Sequence, residues 1–338
     1  MTKTNPSIII WLFSGCLLIF IMVIIGGLTR LTGSGLSMVD WNLVKGIIPP
    51  LTPYEWQETF NLYKQYPEYQ IKNYNLSLSE FKTIFFWEYL HRMIGRLLGL
   101  VFIIPFIYFL ITKQLNKKLI IRTSILLLLG SIQAFLGWWM VKSGLVDKPD
   151  VSHFRLAAHL TTAFITFSYT FWIILTLIFP NKKTSNKKLY RISSYLVVLL
   201  LIQIVYGAFV AGLEAGKIYN TWPKMHDKWV AESVYAITPI WKNFTEGLAG
   251  IQFIHRTLAF IVLFLAIYFY WTAKKNKIDR REMYAVNTVS IIVFLQIIFG
   301  ILALINGVPI WLGSIHQIGA FFLLASSVYC VFIFKKTV

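Results

Sequence analysis

The amino-acid sequence predicts an all-α integral membrane protein whose eight transmembrane helices form two pseudo-symmetric four-helix bundles. The first reason is composition: 57% of the 338 residues are hydrophobic and only 14% are charged, which is more apolar than a soluble core requires. The second is a set of eight apolar stretches, each near the ~20 residues that cross a bilayer as a helix. The third is a repeat that relates the first four stretches to the last four.

The eight predicted spans are the apolar runs that lie between clusters of charged residues. The first run lacks an Ala-x-Ala cleavage pattern, so we expect a retained helix and not a signal peptide. Cys16 and Cys330 fall within the first and last runs, where a thiol usually serves as a small apolar side chain. In chain order the spans cover roughly 8–28, 84–111, 120–141, 154–179, 192–213, 247–272, 283–305 and 312–334.

An internal duplication is visible around four histidines. Phe-Trp-Glu-Tyr-Leu-His91 returns as Ile-Gln-Phe-Ile-His255, and Ala-Ala-His159-Leu-Thr returns as Ser-Ile-His316-Gln-Ile. The two offsets are similar, 164 (255 − 91) and 157 (316 − 159). Two copies of one helical unit, each with a histidine pair, explain this pattern.

Further stretches match between the two copies. The residues around Gly26 resemble those around Gly207, and residues 133–137 match residues 296–300 as Gln-x-x-x-Gly. Because each copy has an even number of helices, both copies have the same orientation in the membrane. The predicted division is an N-terminal half, 1–179, a basic cytoplasmic linker, 180–191, and a C-terminal half, 192–338.

The distribution of charge predicts the orientation of the chain. A net charge of +18 would suggest nucleic acid as a partner of a soluble protein, but here the charge lies in a few loops, so no nucleic-acid partner is predicted. One side of the membrane would hold 17 Lys and Arg residues and two acids, and the other 12 basic and 11 acidic residues. The more basic side is predicted to be cytoplasmic. Both termini then lie in the cytoplasm, and all four repeated histidines lie toward the outer face.

The four histidines are the candidate metal ligands. An imidazole is costly within a bilayer unless it has a partner, and two on neighbouring helices most naturally share a metal or a heme iron. We therefore predict that His91 pairs with His159, and His255 with His316, as axial ligands of two hemes. The position four residues after each histidine is small, as the flat face of a macrocycle requires, although close packing of membrane helices would also produce it. These small residues are Gly95, Ala163, Ala259 and Ala320.

Three charged residues accompany the histidines. Arg92 and Arg256 each follow a predicted ligand, where a guanidinium would bind a heme propionate or, alternatively, extend to lipid headgroups. Glu88 is the acidic residue within a predicted span. Its carboxylate would accept a proton or stabilise positive charge beside a porphyrin. The alternative is a structural hydrogen bond to His91 or to a loop amide.

These motifs resemble those of the heme A synthase family, in the form found in alphaproteobacteria and mitochondria. The resemblance rests on Glu88-Tyr-Leu-His91-Arg92-Met-Ile-Gly95-Arg96, on Gly-Gly-Leu-Thr-Arg-Leu-Thr-Gly-Ser-Gly at 26–35, and on the duplicated histidines. It covers essentially the whole chain. This chain lacks the cysteine pair that one group of the family carries in its first outer loop, so a mechanism based on that pair does not apply.

The resemblance implies an oxidoreductase of porphyrin biosynthesis in the bacterial inner membrane. The enzyme would oxidise the C8 methyl group of heme O to a formyl group, with oxygen from water, and so supply heme A for the assembly of terminal oxidases. It also implies substrate heme in the N-terminal half, with Glu88, His91 and His159 as catalytic residues, and a resident heme b in the C-terminal half, between His255 and His316. Heme O synthase is an expected partner, while the electron acceptor and a homo-oligomeric state stay open.

Two other functions are compatible with parts of the pattern. A diheme b-type cytochrome would use the same histidine pairs to carry electrons between quinol and a partner, without modifying a heme. A transporter would need matching breaks within its duplicated helices, and Pro105 interrupts one span without a counterpart. The sequence therefore favours heme chemistry over transport.

Overall fold

The computed structural model of the chain describes residues 5–39, 45–146, 149–180 and 186–336. Within these ranges, eight helices are long and apolar enough to cross a membrane, which confirms the predicted all-α membrane fold. A shorter helix lies between the first and second spans. The helices are α1 (Pro6–Leu31), α2 (Pro53–Tyr63), α3 (Leu78–Ile111), α4 (Lys117–Lys142), α5 (His153–Ile178), α6 (Lys187–Gly212), α7 (Leu248–Lys275), α8 (Arg280–Ile305) and α9 (Ile310–Phe334).

Most helix ends lie within one turn of the predicted span limits, but α3 and α6 begin earlier, at residues 78 and 187 instead of 84 and 192. Both starts are set by polar caps. The Ser77 hydroxyl accepts a hydrogen bond from Glu80 N, and the Glu80 carboxylate accepts one from Ser77 N; Asn186 caps α6 through Leu189 N. Hydropathy detects the apolar part of a helix, so these polar first turns were missed.

The sequence analysis did not predict α2. Its start has a recognisable local pattern, because Thr52 and Glu55 form a capping box and Pro53 occupies the first helical position. Proline suits that position because its missing N–H would have no helical partner there. A search for capping motifs, in addition to apolar runs, would have found this helix.

Aromatic packing holds α2 against the first turns of α3. The Phe60 ring stacks on Phe81 with centroids 5.0 Å apart, and the Tyr63 and Phe81 centroids are 5.1 Å apart. Phe60, Tyr63 and Phe81 are all buried, together with Phe85 and Met38. The segment after α1 is therefore built on the extended N-terminal end of α3.

The helix limits reproduce the sequence duplication. The start and the end of α6 both lie 181 residues after those of α1 (187 − 6 and 212 − 31). The start and the end of α8 both lie 163 residues after those of α4 (280 − 117 and 305 − 142). Equivalent positions in the two copies are therefore identified by these offsets.

The chain forms two compact units, one of residues Leu17–Ala163 and one of residues 1–16 together with Phe164–Val338. In the second unit α6, α7, α8 and α9 pack in a closed ring, each against its two neighbours, as a four-helix bundle requires. In the first unit α3 packs on α4 and α2. Cys16 and Cys330 are buried free thiols. The functional halves, 1–179 and 192–338, stay a prediction, and residues 181–185 of the predicted linker lie outside the described residues.

Candidate heme sites

The second unit brings His255 of α7 and His316 of α9 together. Their ring centroids are 6.5 Å apart, and the ring planes are inclined at 75°. A metal lies about 2.0 Å from an imidazole nitrogen, so two imidazoles on opposite sides of one iron would have centroids about 6.3 Å apart. The observed separation thus matches bis-histidine ligation of a single heme iron.

The first unit holds His91 on α3 and His159 on α5, and the two side chains lie close enough to interact electrostatically. A buried nitrogen, Nδ1 of His159, has no hydrogen-bond partner within the described residues. The same is true of Nδ1 of His255 in the other unit. A neutral imidazole with an unpartnered nitrogen is suited to bind a metal, so both pairs fit the heme that the sequence predicts.

A glycine on the neighbouring helix adjoins each of the four histidine rings. A Cβ atom added at any of these glycines would lie 2.9–3.4 Å from a ring atom, which is tighter than ordinary van der Waals contact. The absence of a side chain on the neighbouring helix therefore sets the position of each ring. The pairs are Gly26 with His91, Gly137 with His159, Gly207 with His255, and Gly300 with His316.

Glutamines lie one helical turn before three of these glycines. Gln133 Nε2 donates to the backbone carbonyl of His159 at 3.0 Å, and Gln296 Nε2 donates to that of His316 at 2.7 Å. On α6, Gln203 Nε2 donates to the carbonyl of the remaining C-terminal histidine at 3.1 Å. The Gln-x-x-x-Gly motif thus contacts a histidine through both its residues. The sequence analysis matched two of these motifs as repeats but assigned them no role.

Glu88 lies buried between α3 and the segment that follows α1. One carboxylate oxygen accepts hydrogen bonds from Ser37 Oγ at 2.7 Å and from Met38 N at 2.8 Å. The other forms a salt bridge with Arg92 Nη2 at 2.6 Å. The loop-amide contact that the sequence analysis gave as an alternative for Glu88 is therefore present. Ser37 and Met38 were not predicted as site residues.

The two arginines make equivalent contacts. Arg92 Nη2 donates to the Met38 carbonyl at 2.7 Å, and Arg256 Nη2 donates to the Tyr219 carbonyl at 2.6 Å, where 219 − 38 is the same 181-residue offset that relates α6 to α1. Each arginine therefore fastens the loop that follows α1 or α6 to the histidine-bearing helix. Arg256 Nε is buried and has no partner within the described residues, so it retains a donor for another acceptor. Binding to propionates stays a prediction for both arginines.

Comparison with known proteins identifies the family. The sequence pattern of the family described as cytochrome oxidase assembly protein, COX15-CtaA, matches residues 9–328. A heme A synthase from Flavobacterium psychrophilum is 52% identical over 338 residues, which cover 99% of this chain and all of that protein. The chain belongs to the heme A synthase family.

Other members of the heme A synthase family agree over similar lengths. A heme A synthase from Flavobacterium johnsoniae is 50% identical and covers 97% of this chain and 98% of its own length. One from Parvibaculum lavamentivorans is 42% identical and covers 95% of this chain and 92% of its own length. The resemblance drawn from the motifs is therefore confirmed for essentially the whole chain.

For a member of the heme A synthase family, the structure arranges the predicted residues in two sets. Glu88, Arg92 and His91 lie together on α3, and His159 contributes from α5. His255 and Arg256 lie on α7, with His316 on α9. The glycines and glutamines were missed as site residues because their contacts with histidine depend on the packing of neighbouring helices. The repetition of Gln-x-x-x-Gly at the interhelical offsets was the available signal.

Proposed function

We propose that this chain is a heme A synthase that oxidises the C8 methyl group of heme O to the formyl group of heme A. The observation that carries the proposal is the presence of two histidine pairs, at equivalent places of a duplicated fold, in a chain that belongs to the heme A synthase family. Conversion of the methyl group and one water to a formyl group releases four electrons and four protons. An electron acceptor of the enzyme must therefore take up the electrons.

The two halves have different tasks. His91 and His159 bind the substrate heme O, and His255 and His316 hold a resident heme b. The difference between Glu88 and Gln252 supports this division, because these residues occupy equivalent positions three residues before His91 and His255. A carboxylate stabilises positive charge or accepts a proton, whereas an amide does neither well. When bound, the heme b supplies one-electron chemistry.

Glu88 acts as a fixed negative charge at the substrate site. Loss of electrons from a methyl group conjugated with the porphyrin produces positive charge beside the ring, and a preorganised carboxylate stabilises that charge. The salt bridge with Arg92 and the hydrogen bonds from Ser37 and Met38 hold the carboxylate in position. The same contacts close the segment after α1 over this end of α3.

Arg92 and Arg256 also direct the propionates of the two hemes. Each guanidinium has five N–H donors, and the loop carbonyls use only some of them. The unpartnered Nε of Arg256 is such a remaining donor. An arginine that fastens a loop and binds a propionate would couple heme binding to closure of that loop.

The cellular setting follows from the eight spans. The protein is a multi-pass membrane protein, and we place it in the bacterial inner membrane with both termini in the cytoplasm. The hydrophobic substrate reaches it within the membrane, from heme O synthase, and heme A leaves for the assembly of a terminal oxidase. Lipid surrounds the apolar helices.

The proposal is tested by the hemes that the protein contains. The protein is purified from cells with and without a heme O supply, its hemes are extracted and separated, and their masses are measured in ordinary and isotopically labelled water. We expect heme A only when heme O is supplied, with oxygen from the labelled water. A protein with two hemes b and no heme A under both conditions would contradict the proposal and would favour the diheme cytochrome.

A further inference from the structure

Three of the four histidines have their backbone carbonyl held by a glutamine of the adjacent helix. The donors are Gln133, Gln203 and Gln296, and their N–O distances are 2.7–3.1 Å. These bonds link the helix that carries the histidine to its neighbour at the height of the ligand. A ligand held in this way keeps its ring orientation, because backbone and ring cannot shift separately.

The fourth position differs. Gln203 lies four residues before Gly207, and the equivalent residue of α1, four before Gly26, is Met22 (203 − 181). Met22 lies at the level of His91, since its Cε is 3.5 Å from a Cβ added at Gly95, one turn further along α3. Methionine has nearly the length of glutamine, but its thioether has no proton to donate to a carbonyl.

A second α1–α3 link does not replace the missing amide. The Thr29 hydroxyl lies 3.3 Å from the Trp87 carbonyl, but it is 2.8 Å from the Ile25 carbonyl of its own helix. One hydroxyl proton favours the nearer acceptor. This contact also lies one turn away from His91, so it does not hold the ligand itself.

We infer that Met22 makes His91 the exchangeable axial ligand, which releases iron so that heme enters and leaves the N-terminal site, while the glutamine-held ligands stay in place. The inference rests on the proposed function, in which heme O must enter the N-terminal site and heme A must leave it at every turnover. The resident heme needs no such exchange. Gln133, Gln203 and Gln296 are positioning residues, because they act through the histidines. Partners of this kind commonly change metal affinity about 10–100-fold.

The test exchanges the two equivalent residues in the full-length protein purified with its hemes. Met22→Gln introduces the amide at His91, Gln203→Met removes it at His255, and Met22→Leu is the control that changes Met22 without adding a donor. Apomyoglobin is added as a heme acceptor, and the release of each heme is followed by absorbance. Heme A and heme b are distinguished by their pyridine complexes. Electron paramagnetic resonance reports the orientation of the axial rings.

We expect wild type to release heme A faster than heme b. Gln203→Met should accelerate release of heme b about 10–100-fold and change its low-spin signal, Met22→Gln should slow release of heme A about tenfold, and Met22→Leu should match wild type. Unchanged release rates in both exchanged variants would overturn the inference even if heme A is formed. If wild type contained two hemes b and no heme A, the synthase proposal would fail. Fast and slow phases that change as predicted in the variants would still support the glutamine contacts.

Discussion

At the residue scale, Glu88 and Gln252 show how one position diverged after duplication. Glu88 accepts hydrogen bonds from Ser37 and Met38 and pairs with Arg92. Gln252 is also buried, but it donates its amide to the Ala215 carbonyl at 2.8 Å. Both side chains fasten a loop to a histidine-bearing helix. Only Glu88 adds a negative charge.

We expect Glu88→Gln to keep the fold and the resident heme while lowering heme A formation about a hundredfold or more, because the amide removes the charge but not the shape. The measurement is the ratio of heme A to heme b in purified protein supplied with heme O. Near-normal heme A formation in this variant would show that Glu88 is structural.

Gln252→Ala provides the contrasting change at the equivalent place. It should leave heme A formation per molecule close to wild type, while stability falls by about 1–3 kcal/mol because the buried Ala215 carbonyl loses its donor. Thermal unfolding and heme analysis of the same sample separate the two effects. Loss of heme A formation in Gln252→Ala, with retention in Glu88→Gln, would reverse the assignment of the halves.

Glu68 is a buried acid in the segment between α2 and α3, outside the membrane-spanning helices. Burial raises its pKa from 4.5 to about 8, although a hydrogen bond from the Tyr63 hydroxyl, at 3.0 Å, and the charge of Lys72 oppose the shift. A raised pKa means that the folded protein binds this proton more tightly than the unfolded chain. The free energy of unfolding should therefore be highest below about pH 4.5 and fall as pH rises through about 8.

Glu68→Gln should remove this part of the pH dependence, because a neutral amide resembles the protonated acid. We expect the variant to melt about 2–4 °C higher than wild type at pH 8.5, and close to wild type at pH 5. Melting is followed in detergent by the fluorescence of the aromatic cluster around Phe60. An equal shift at both pH values would contradict titration of Glu68.

At the element scale, the glycines of α4 separate helix packing from helix propensity. A Cβ at Gly137 would lie 3.0 Å from His159 Cε1, whereas a Cβ at Gly130, two turns earlier on the same helix, would meet nothing within 4 Å. Gly137→Ala should displace the ring and lower heme content at the N-terminal site at least about tenfold. Gly130→Ala should leave heme content unchanged and stabilise α4 by roughly 0.5–1 kcal/mol. Equal heme contents in the two variants would contradict the proposed contact.

The elements also show what the sequence predicts well and what it does not. Apolar runs located all eight spans because burial in lipid requires a continuous apolar stretch. The polar first turn of α3, and α2 as a whole, carry no such run and depend on caps at Ser77 and Thr52. The histidines were found because imidazole is rare in a membrane. The contact of Gly137 with His159 was not, because glycine is common in membrane helices wherever two helices pack closely.

At the scale of the whole molecule, duplication produced two sites with a common frame. Both keep a glycine behind each histidine and an arginine that binds a loop carbonyl. The differences noted between them are Glu88 in place of Gln252 and Met22 in place of Gln203, and both place the unusual residue in the N-terminal half. A site that binds, modifies and releases its heme needs charge and mobility, whereas a resident heme needs neither. The two substitutions therefore agree with one division of labour.

The orientation of the whole chain gives a prediction that is independent of the chemistry. The loops that follow α3, α5 and α7 are rich in Lys and Arg, and positively charged loops are retained on the cytoplasmic side. Reporter domains fused after residues 116, 185 and 278 should therefore all be cytoplasmic. Fusions after residues 65 and 228, between the intervening spans, should be on the outer side. Because each histidine lies nearer the end of its helix that adjoins the outer segments, this orientation places both heme sites toward the outer face. A reporter that is active outside the cell at residue 116 or 278 would reverse the orientation and would place the heme sites at the cytoplasmic face.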